Sequence, residues 1–123
     1  MTIKEVSEKF NISQDTLRYY ERVGVIPIVH RNKNGIRAYT EEDIAWVKNA
    51  ICMRNAGLSI DVLVEYLRLF QQGDDTIHER YELLSAQKEM LLEKKKKLEE
   101  TIDKLDYKIN IYKTAKETGK LIW

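Results

Sequence analysis

Apolar residues recur at helical spacing along most of this chain, and polar turn residues divide the pattern into segments. Thr2 and Glu5 have the spacing of a capping box, which predicts that a first short helix begins here. Ser13 is the candidate N-cap of a second helix, which Gly24 and then Pro27 bring to an end. Two short helices joined by so brief a turn predict a helix-turn-helix, whose second helix usually enters the DNA major groove.

The segment after the second helix predicts a β-hairpin. Residues 28–40, IVHRNKNGIRAYT, form two short extended arms about the Asn-Gly pair at 34–35. A cationic hairpin too small for its own core, following a helix-turn-helix, indicates a wing that places positive charge against DNA phosphates or in the minor groove. A solvated turn is the alternative, and it does little to explain three cations in seven positions, namely Arg31, Lys33 and Arg37.

Two further helices complete the first part of the chain. Thr40 and Asp43 predict a capping box at the start of the third helix, and a fourth helix runs to a break at Gly73. The predicted DNA-binding domain therefore covers residues 1–72. A domain of this size is only marginally stable by itself.

The last third of the chain has a heptad repeat, preceded by another predicted capping box at Thr76 and Glu79. A repeat of this length predicts a coiled coil, although Lys88 and Lys95 interrupt its second apolar position. We call this apolar stripe the seam, and it consists of Ile77, Tyr81, Leu84, Leu91, Leu98, Ile102, Leu105, Ile109 and Tyr112.

A single long helix over residues 73–118 cannot bury one apolar seam within its own chain. Pairing with a second copy is the simplest solution, and it predicts a homodimer with two DNA-reading heads. The predicted fold is therefore mainly α, a winged helix-turn-helix head followed by a long dimerisation helix, with a short hydrophobic tail at residues 119–123. The predicted dimerisation residues are Leu84, Leu91, Leu98, Ile102, Leu105, Ile109 and Tyr112.

Composition limits the possible classes of function. The chain is 43% hydrophobic and 33% charged, and no apolar run approaches the roughly 18 residues of a membrane helix. Nothing at the start resembles a signal peptide, so we expect a cytoplasmic protein without a membrane role. Its two histidines, His30 and His78, are isolated and Cys52 is its one cysteine, so we predict no metal or cofactor. No clustered acid–base set or phosphate-binding glycine loop predicts an enzyme.

The net charge of +1 says less than its distribution. Residues 1–40 contain seven basic and four acidic side chains, which fits a localised contact surface for nucleic acid. In the second helix, Leu17 and Tyr20 share the inward face, so Tyr19 lies on the surface. An exposed tyrosine between Arg18 and Arg22 suits phosphate contact, and Arg18 also suits a base edge. An ordinary solvated face is the alternative.

Three motifs, in order, resemble those of the MerR family of bacterial transcription regulators. TLRYYERVGVIP matches the family's recognition helix, GIRAYT its wing, and RNAGLSIDVL the segment joining the third and fourth helices. The resemblance covers nearly the whole chain. It implies a winged helix-turn-helix, an antiparallel coiled-coil dimer and double-stranded promoter DNA with a pseudo-palindromic site as the partner.

The resemblance also implies a mechanism. Family members bind promoters whose spacer between the two RNA polymerase elements is too long, and the activated dimer bends and untwists that spacer. RNA polymerase is thus an indirect partner. Deforming such a site costs about 1–6 kcal/mol, which phosphate contacts must offset. The residues implied are Gln14, Thr16, Arg18 and Tyr19 in the major groove and Arg37 and Tyr39 on the wing, with Arg31 and Lys33 as further candidates.

The inducing signal is less defined by the sequence. The cysteine pair of the family's metal sensors is absent, and the final TAKETGKLIW is too short to enclose a pocket. We therefore expect Leu121–Trp123 to fold back onto the dimer as a hydrophobic hook. Cys52 is either a small core residue or a sensor, and nearby Lys48 and Arg54 favour its thiolate. CMRNAG resembles the cysteine-bearing subgroup that responds to aldehydes and other electrophiles.

Other classes share some of these features. An architectural DNA-bending protein or a phage-type excision factor has the same winged head, and a coiled-coil adaptor that ignores DNA has the same seam. A promoter switch needs a fixed dimer with defined half-site spacing. The seam therefore favours a regulator over an architectural or excision-type protein.

Overall fold

The computed structural model describes residues 1–123 and contains five α-helices and no β-strand. A short 3-10 turn, Asp74–Thr76, precedes the last helix. The prediction of a mainly α fold with one long final helix is therefore confirmed. The helices are α1 (Ile3–Phe10), α2 (Gln14–Val23), α3 (Glu41–Asn55), α4 (Ile60–Gln72) and α5 (Ile77–Thr118).

Side-chain caps set the starts of the short helices, as the sequence predicts. Thr2 with Glu5 and Thr40 with Asp43 form reciprocal capping boxes, and the Ser13 hydroxyl accepts a hydrogen bond from the α2 backbone. These bonds satisfy N–H groups that have no partner within the helix. The first turn of each helix is thereby fixed.

The turn between α1 and α2 and the end of α2 both use left-handed backbone conformations. Asn11 has a φ of 51° and Gly24 a φ of 91°. Asparagine and glycine tolerate this region, which reverses the chain within a few residues. Asn11 therefore allows the tight turn between α1 and α2, and Gly24 ends α2.

Met1–Ser85 form one compact unit, with a small core to which every helix from α1 to α4 contributes. From α2, Leu17 is fully buried and Tyr20 nearly so. Because these two side chains are held inside, the opposite face of α2 is turned outward. The other buried apolar residues are Val6, Val25, Ile26, Val29, Tyr39, Val47, Ala50, Leu58, Leu63, Leu67 and Leu69.

The predicted capping box at the start of α5 is wrong. Thr76 is buried at the end of the 3-10 turn, and its hydroxyl donates to the carbonyls of Leu69 and Gly73. The same oxygen accepts from Arg80 Nε at 3.0 Å. The hydroxyl therefore ties the end of α4 to the first turn of α5 instead of capping a helix.

Ala86–Trp123 form the second compact unit, made of the rest of α5 and the tail. Gly119 ends the helix, and the tail folds back so that the Trp123 ring meets Tyr112 edge-on at a centroid distance of 5.8 Å. The tail thus contacts its own helix, and its expected packing onto a dimer stays a prediction. None of the helices is both long and apolar enough to cross a membrane.

We expect Leu17→Ala to lower the free energy of unfolding by about 2–5 kcal/mol, because it leaves a cavity beneath the recognition helix. Urea denaturation followed by circular dichroism measures this change. Ile36→Ala, at an exposed apolar residue of the wing, serves as control and should change stability by less than about 0.5 kcal/mol. Equal losses in the two variants contradict the core assignment.

Candidate nucleic-acid interface

The outward face of α2 presents the arginines and the tyrosine that the sequence predicts to contact DNA. Tyr19 is 37% exposed while its neighbour Tyr20 is 7% exposed, so one tyrosine belongs to the surface and one to the core, as predicted. The Arg22 guanidinium lies 5.4 Å from the centroid of the Tyr19 ring. This stacking holds the ring and the cation together on the surface.

Arg18 is held by neighbours on its own helix. Its Nη1 donates to Asp15 Oδ1 at 2.9 Å, and its Nη2 donates to Gln14 Oε1 at 3.3 Å. Both side chains of the Arg18–Asp15 pair are exposed, so water screens their attraction. A phosphate or base edge can therefore replace Asp15 as the partner of Arg18 at little cost. Thr16 lies half-buried at the start of α2, where its hydroxyl pairs with that of Ser13.

The wing is a tight loop rather than a two-stranded hairpin, which corrects the prediction. Its arms form a single bridge, between Arg31 and Arg37. The Asn32 side-chain oxygen accepts from the backbone N–H groups of Asn34 and Ile36, at 2.9 and 3.1 Å. An asparagine that satisfies backbone groups in this way competes with a sheet ladder, so no strand extends.

The three cations of the wing differ in whether their charged groups are already hydrogen-bonded within the chain. Lys33 is exposed and has no partner in the structure. Arg31 is exposed as well, but its Nη1 donates to the Gly35 carbonyl at 2.8 Å and closes the loop. Lys33 is therefore the cation most available to a phosphate at the tip of the wing.

Arg37 points back toward the recognition helix. Its Nε donates to Glu21 Oε1 at 2.7 Å, and the two side chains are only 23% and 9% exposed. Glu21 was missed by the sequence reasoning, which counted it only as one acidic residue among the four in the first 40 positions. No spacing rule relates residue 21 to residue 37, so only the folded chain reveals the pair.

Tyr39 is not on the surface of the wing, which corrects its predicted contact with the DNA backbone. The residue is 3% exposed, and its hydroxyl is buried without a hydrogen-bond partner. Burial raises the pKa of Tyr39; Arg37 opposes this effect and Glu21 adds to it. The ring therefore fills the core beneath the wing, close to the Arg37–Glu21 pair.

A second tie holds the other arm of the wing and was also missed. His30 Nδ1 lies 2.9 Å from Asp43 Oδ2, and the same carboxylate oxygen accepts from the backbone N–H groups of His30 and Thr40. Asp43 is 4% exposed. The capping box at Thr40 gave a signal for one of these bonds, whereas nothing in the sequence linked His30 to α3.

Apart from Tyr112, which meets Trp123 of the tail, the predicted dimerisation residues of α5 are left largely uncovered in the single chain. Large apolar side chains of this kind are rarely left in water along one contiguous stripe. Leu91 is half-buried, and the exposed members are Leu84, Leu98, Ile102, Leu105, Ile109 and Tyr112.

Cys52 is exposed on α3, so its interpretation as a core residue is wrong for the single chain. Lys48 is exposed one turn earlier. Arg54 instead donates to the Leu58 carbonyl at 2.7 Å and holds the turn between α3 and α4. The thiol is thus open to a reagent.

Comparison with known proteins assigns this architecture. The family described as MerR HTH family regulatory protein matches residues 1–69. The chain belongs to the MerR family. It is a MerR-type DNA-binding transcriptional regulator, and the resemblance inferred from the three motifs is confirmed.

MerR relatives match beyond the head as well. The HTH-type transcriptional regulator AdhR of Bacillus subtilis is 51% identical over 93 residues, which are 76% of this chain and 66% of AdhR. A crystal structure assigned to the MerR family, from Listeria monocytogenes, has a TM-score of 0.90 at 44% identity and covers 97% of this chain and 90% of its own. HiNmlR, a MerR family regulator lacking the sensor domain and crystallised bound to promoter DNA, has a TM-score of 0.88 at 33% identity, covering 98% and 95%.

The tie at Asp43 predicts an acid-sensitive contribution to stability. Burial acts to raise the pKa of Asp43, but the hydrogen bonds from Thr40 and His30 outweigh it and hold that pKa below its ordinary value of 3.8. A lowered pKa stabilises the fold above the unfolded-state value and loses that contribution as pH falls below it.

We therefore expect the stability difference between the wild type and Asp43→Asn to be largest near neutral pH and to shrink as pH falls below about 4. Urea unfolding of both proteins at several pH values from acid to neutral measures it. Two curves that stay parallel through the acid range contradict this role of the carboxylate.

Proposed function

We propose that this MerR regulator binds a pseudo-palindromic promoter site as a homodimer and switches transcription by distorting an over-long spacer. The observation that carries the proposal is that one rigid head turns Arg18 and Tyr19 of α2 outward and ties a cationic wing beside the same helix. A helix that presents arginine in this way suits the major groove, and the wing suits the phosphates.

The proposed contacts follow from where the side chains lie. Arg18 reads a base edge, and the phosphate contacts of the wing come from Arg31, Lys33 and Arg37. Tyr39 supports the wing from the core. The recognition-helix contacts are Gln14, Thr16, Arg18 and Tyr19.

The dimer is proposed to pair its seams in antiparallel orientation. In a parallel pair, Lys88 faces Lys88 of the other chain and Lys95 faces Lys95, which places like charges together at the interface. In an antiparallel pair, a residue no longer faces the same residue of the other chain, so neither lysine is forced to lie opposite itself. We keep residues 1–72 as the DNA-binding domain, 73–118 as the dimerisation helix and 119–123 as the tail.

Two joined heads give the dimer its means of acting on a promoter. Bending and untwisting the spacer costs about 1–6 kcal/mol, and phosphate contacts from both wings offset that cost. The altered spacer then aligns the two elements that RNA polymerase reads. Activation of this kind involves no catalytic residue, and the protein acts in the cytoplasm, where the promoter is.

We expect Arg18→Ala and Lys33→Ala to weaken DNA binding in different ways. Loss of a base-reading arginine costs about 1–3 kcal/mol and relaxes discrimination at one base position in each half-site. Loss of a phosphate contact weakens all sequences alike and lowers the salt slope by about one for each wing. Fluorescence anisotropy with the promoter upstream of the gene and with scrambled duplexes, over a salt series, measures both.

Lys96→Ala, which removes an exposed cation from α5, is the matched control and should bind as the wild type does. A footprint centred on a promoter spacer supports the regulator. Dispersed protection favours an architectural DNA-bending or excision-type protein, and unaltered binding by Arg18→Ala contradicts the proposed contact set.

Sensing of aldehydes through Cys52 is the finer part of the proposal. Its support is the exposure of the thiol and the resemblance of CMRNAG to the electrophile-responsive subgroup. The sulfur adds to the carbonyl carbon while the carbonyl oxygen takes up a proton, giving a hemithioacetal. Added bulk on α3 then changes how this helix packs in the dimer and re-aims the heads, as a stress-response activator requires.

We expect Cys52→Ala to abolish induction of a reporter by formaldehyde or methylglyoxal while DNA binding persists. Met53→Leu, a volume-conserving change beside the thiol, is the control and should remain inducible. Reporter activity and the intact mass of the treated protein give the two readouts. Full induction of Cys52→Ala excludes Cys52 as the sensor.

A further inference from the structure

No backbone hydrogen bond joins the wing to α2, although Tyr39 at the base of the wing exchanges backbone bonds with Met1. The arms of the wing share one bridge, and the loop from Asn32 to Ile36 is exposed throughout. A loop of this size has no core of its own. Its position relative to α2 must therefore come from side chains at its base, and the tie to α2 is the Arg37–Glu21 pair.

This pair uses only part of the arginine. The bond runs from Arg37 Nε to Glu21 Oε1, and the structure shows no partner for the two Nη groups of Arg37. A guanidinium presents five N–H donors in a fixed fork, so holding the Nε edge fixes the direction of the others. The remaining edge is suited to a phosphate.

Glu21 stands out because its charge is unfavourable for the proposed partner. A carboxylate within a DNA-binding surface repels phosphates, so electrostatics alone predicts that removing it tightens binding. Its side chain is nevertheless 9% exposed and paired at 2.7 Å. Burying a carboxylate is costly unless it is paired, and here its partner is Arg37, a proposed DNA contact.

We infer that Glu21 is a positioning residue for DNA binding, which holds Arg37 by its Nε edge and aims the Nη edge at a phosphate. The inference rests on the proposed function, because it takes Arg37 as a phosphate contact. It links the recognition helix to the wing, so that a base contact from α2 and a phosphate contact from the wing are set in one geometry.

Two substitutions at Glu21 separate positioning from charge. Both Glu21→Met and Glu21→Gln remove the negative charge, but only glutamine keeps an oxygen that can accept from Arg37 Nε. We expect Glu21→Met to bind the promoter duplex at least about tenfold more weakly than the wild type, since it leaves the arginine unheld. Glu21→Gln should bind close to the wild type. If Glu21→Met binds as tightly as the wild type or more tightly, the inference is overturned.

A double-mutant cycle tests whether Glu21 acts through Arg37. Arg37→Gln should weaken binding and lower the salt slope by about two for a dimer with two wings. Adding Glu21→Met to Arg37→Gln should cause no further loss, because the held group is already gone. An additional loss of similar size shows a general structural role and overturns the positioning role. Glu65→Gln, in an exposed pair on α4, controls for removal of a carboxylate and should bind as the wild type does.

Circular dichroism establishes that each variant is folded before its affinity is measured. Should Glu21→Met fail to fold, Arg37→Lys takes its place, because lysine keeps the charge but cannot hold a carboxylate and a phosphate with two edges of one fork. Wild-type affinity in Arg37→Lys then overturns the inference.

The same experiments keep the two levels of proposal apart. If the wild type does not bind promoter DNA, the proposed function fails. If Arg37→Gln binds as the wild type does, Arg37 leaves the contact set and Glu21 loses its role with it. If Arg37→Gln weakens binding and Glu21→Met does not, only the positioning role falls.

Discussion

The recognition helix owes its orientation to two side chains that cannot leave the core. Leu17 is fully buried and Tyr20 is 7% exposed, so α2 has one rotational setting about its own axis. In that setting Arg18 and Tyr19 face outward. Because protein interiors are close-packed, a small rotation of α2 requires displacement of its neighbours, so the outward face of α2 is held in one orientation.

The wing depends on a different kind of force. Its exposed loop has no core of its own, and two polar pairs at its base hold it beside the buried Val29 and Tyr39: Arg37 with Glu21 on α2, and His30 with Asp43 on α3. Glu21 and Asp43 are only 9% and 4% exposed in these pairs, and leaving so nearly buried a carboxylate without its partner is costly. The wing is thereby held at two points to two different helices, although its exposed loop carries little structure.

In contrast to the head, the long helix α5 leaves most of its apolar side chains exposed. Its seam residues from Leu84 to Tyr112 are mostly exposed in the single chain, so apolar surface in this helix lacks the contacts that the head already has. A second copy supplies them in the proposed dimer. Stability and DNA binding then depend together on protein concentration, as is usual for obligate homodimers.

Periodicity, caps and turn residues in the sequence were enough to determine the helices. The capping boxes at Thr2 and Thr40, the stop at Gly24 and the heptad spacing all depend on residues within one turn or one repeat of each other. The exposure of Tyr19 and the burial of Tyr20 were predicted in the same way, because the helical period places neighbouring residues on different faces. Such features are local, so the sequence alone specified them.

Features that join distant residues were decided only by the tertiary structure. Tyr39 was predicted on the surface but lies in the core. Hydrogen bonds to the Asn32 side chain take the place of the expected hairpin ladder, and Thr76 bonds to α4 instead of capping α5. Glu21 and His30 gained roles that no motif indicated. Asn32 bonds within its own loop, where its side chain competes with the expected ladder. For the others, the deciding partner lies outside the local repeat or turn that the sequence pattern describes, because side-chain hydrogen bonds and burial depend on which segments the fold brings together.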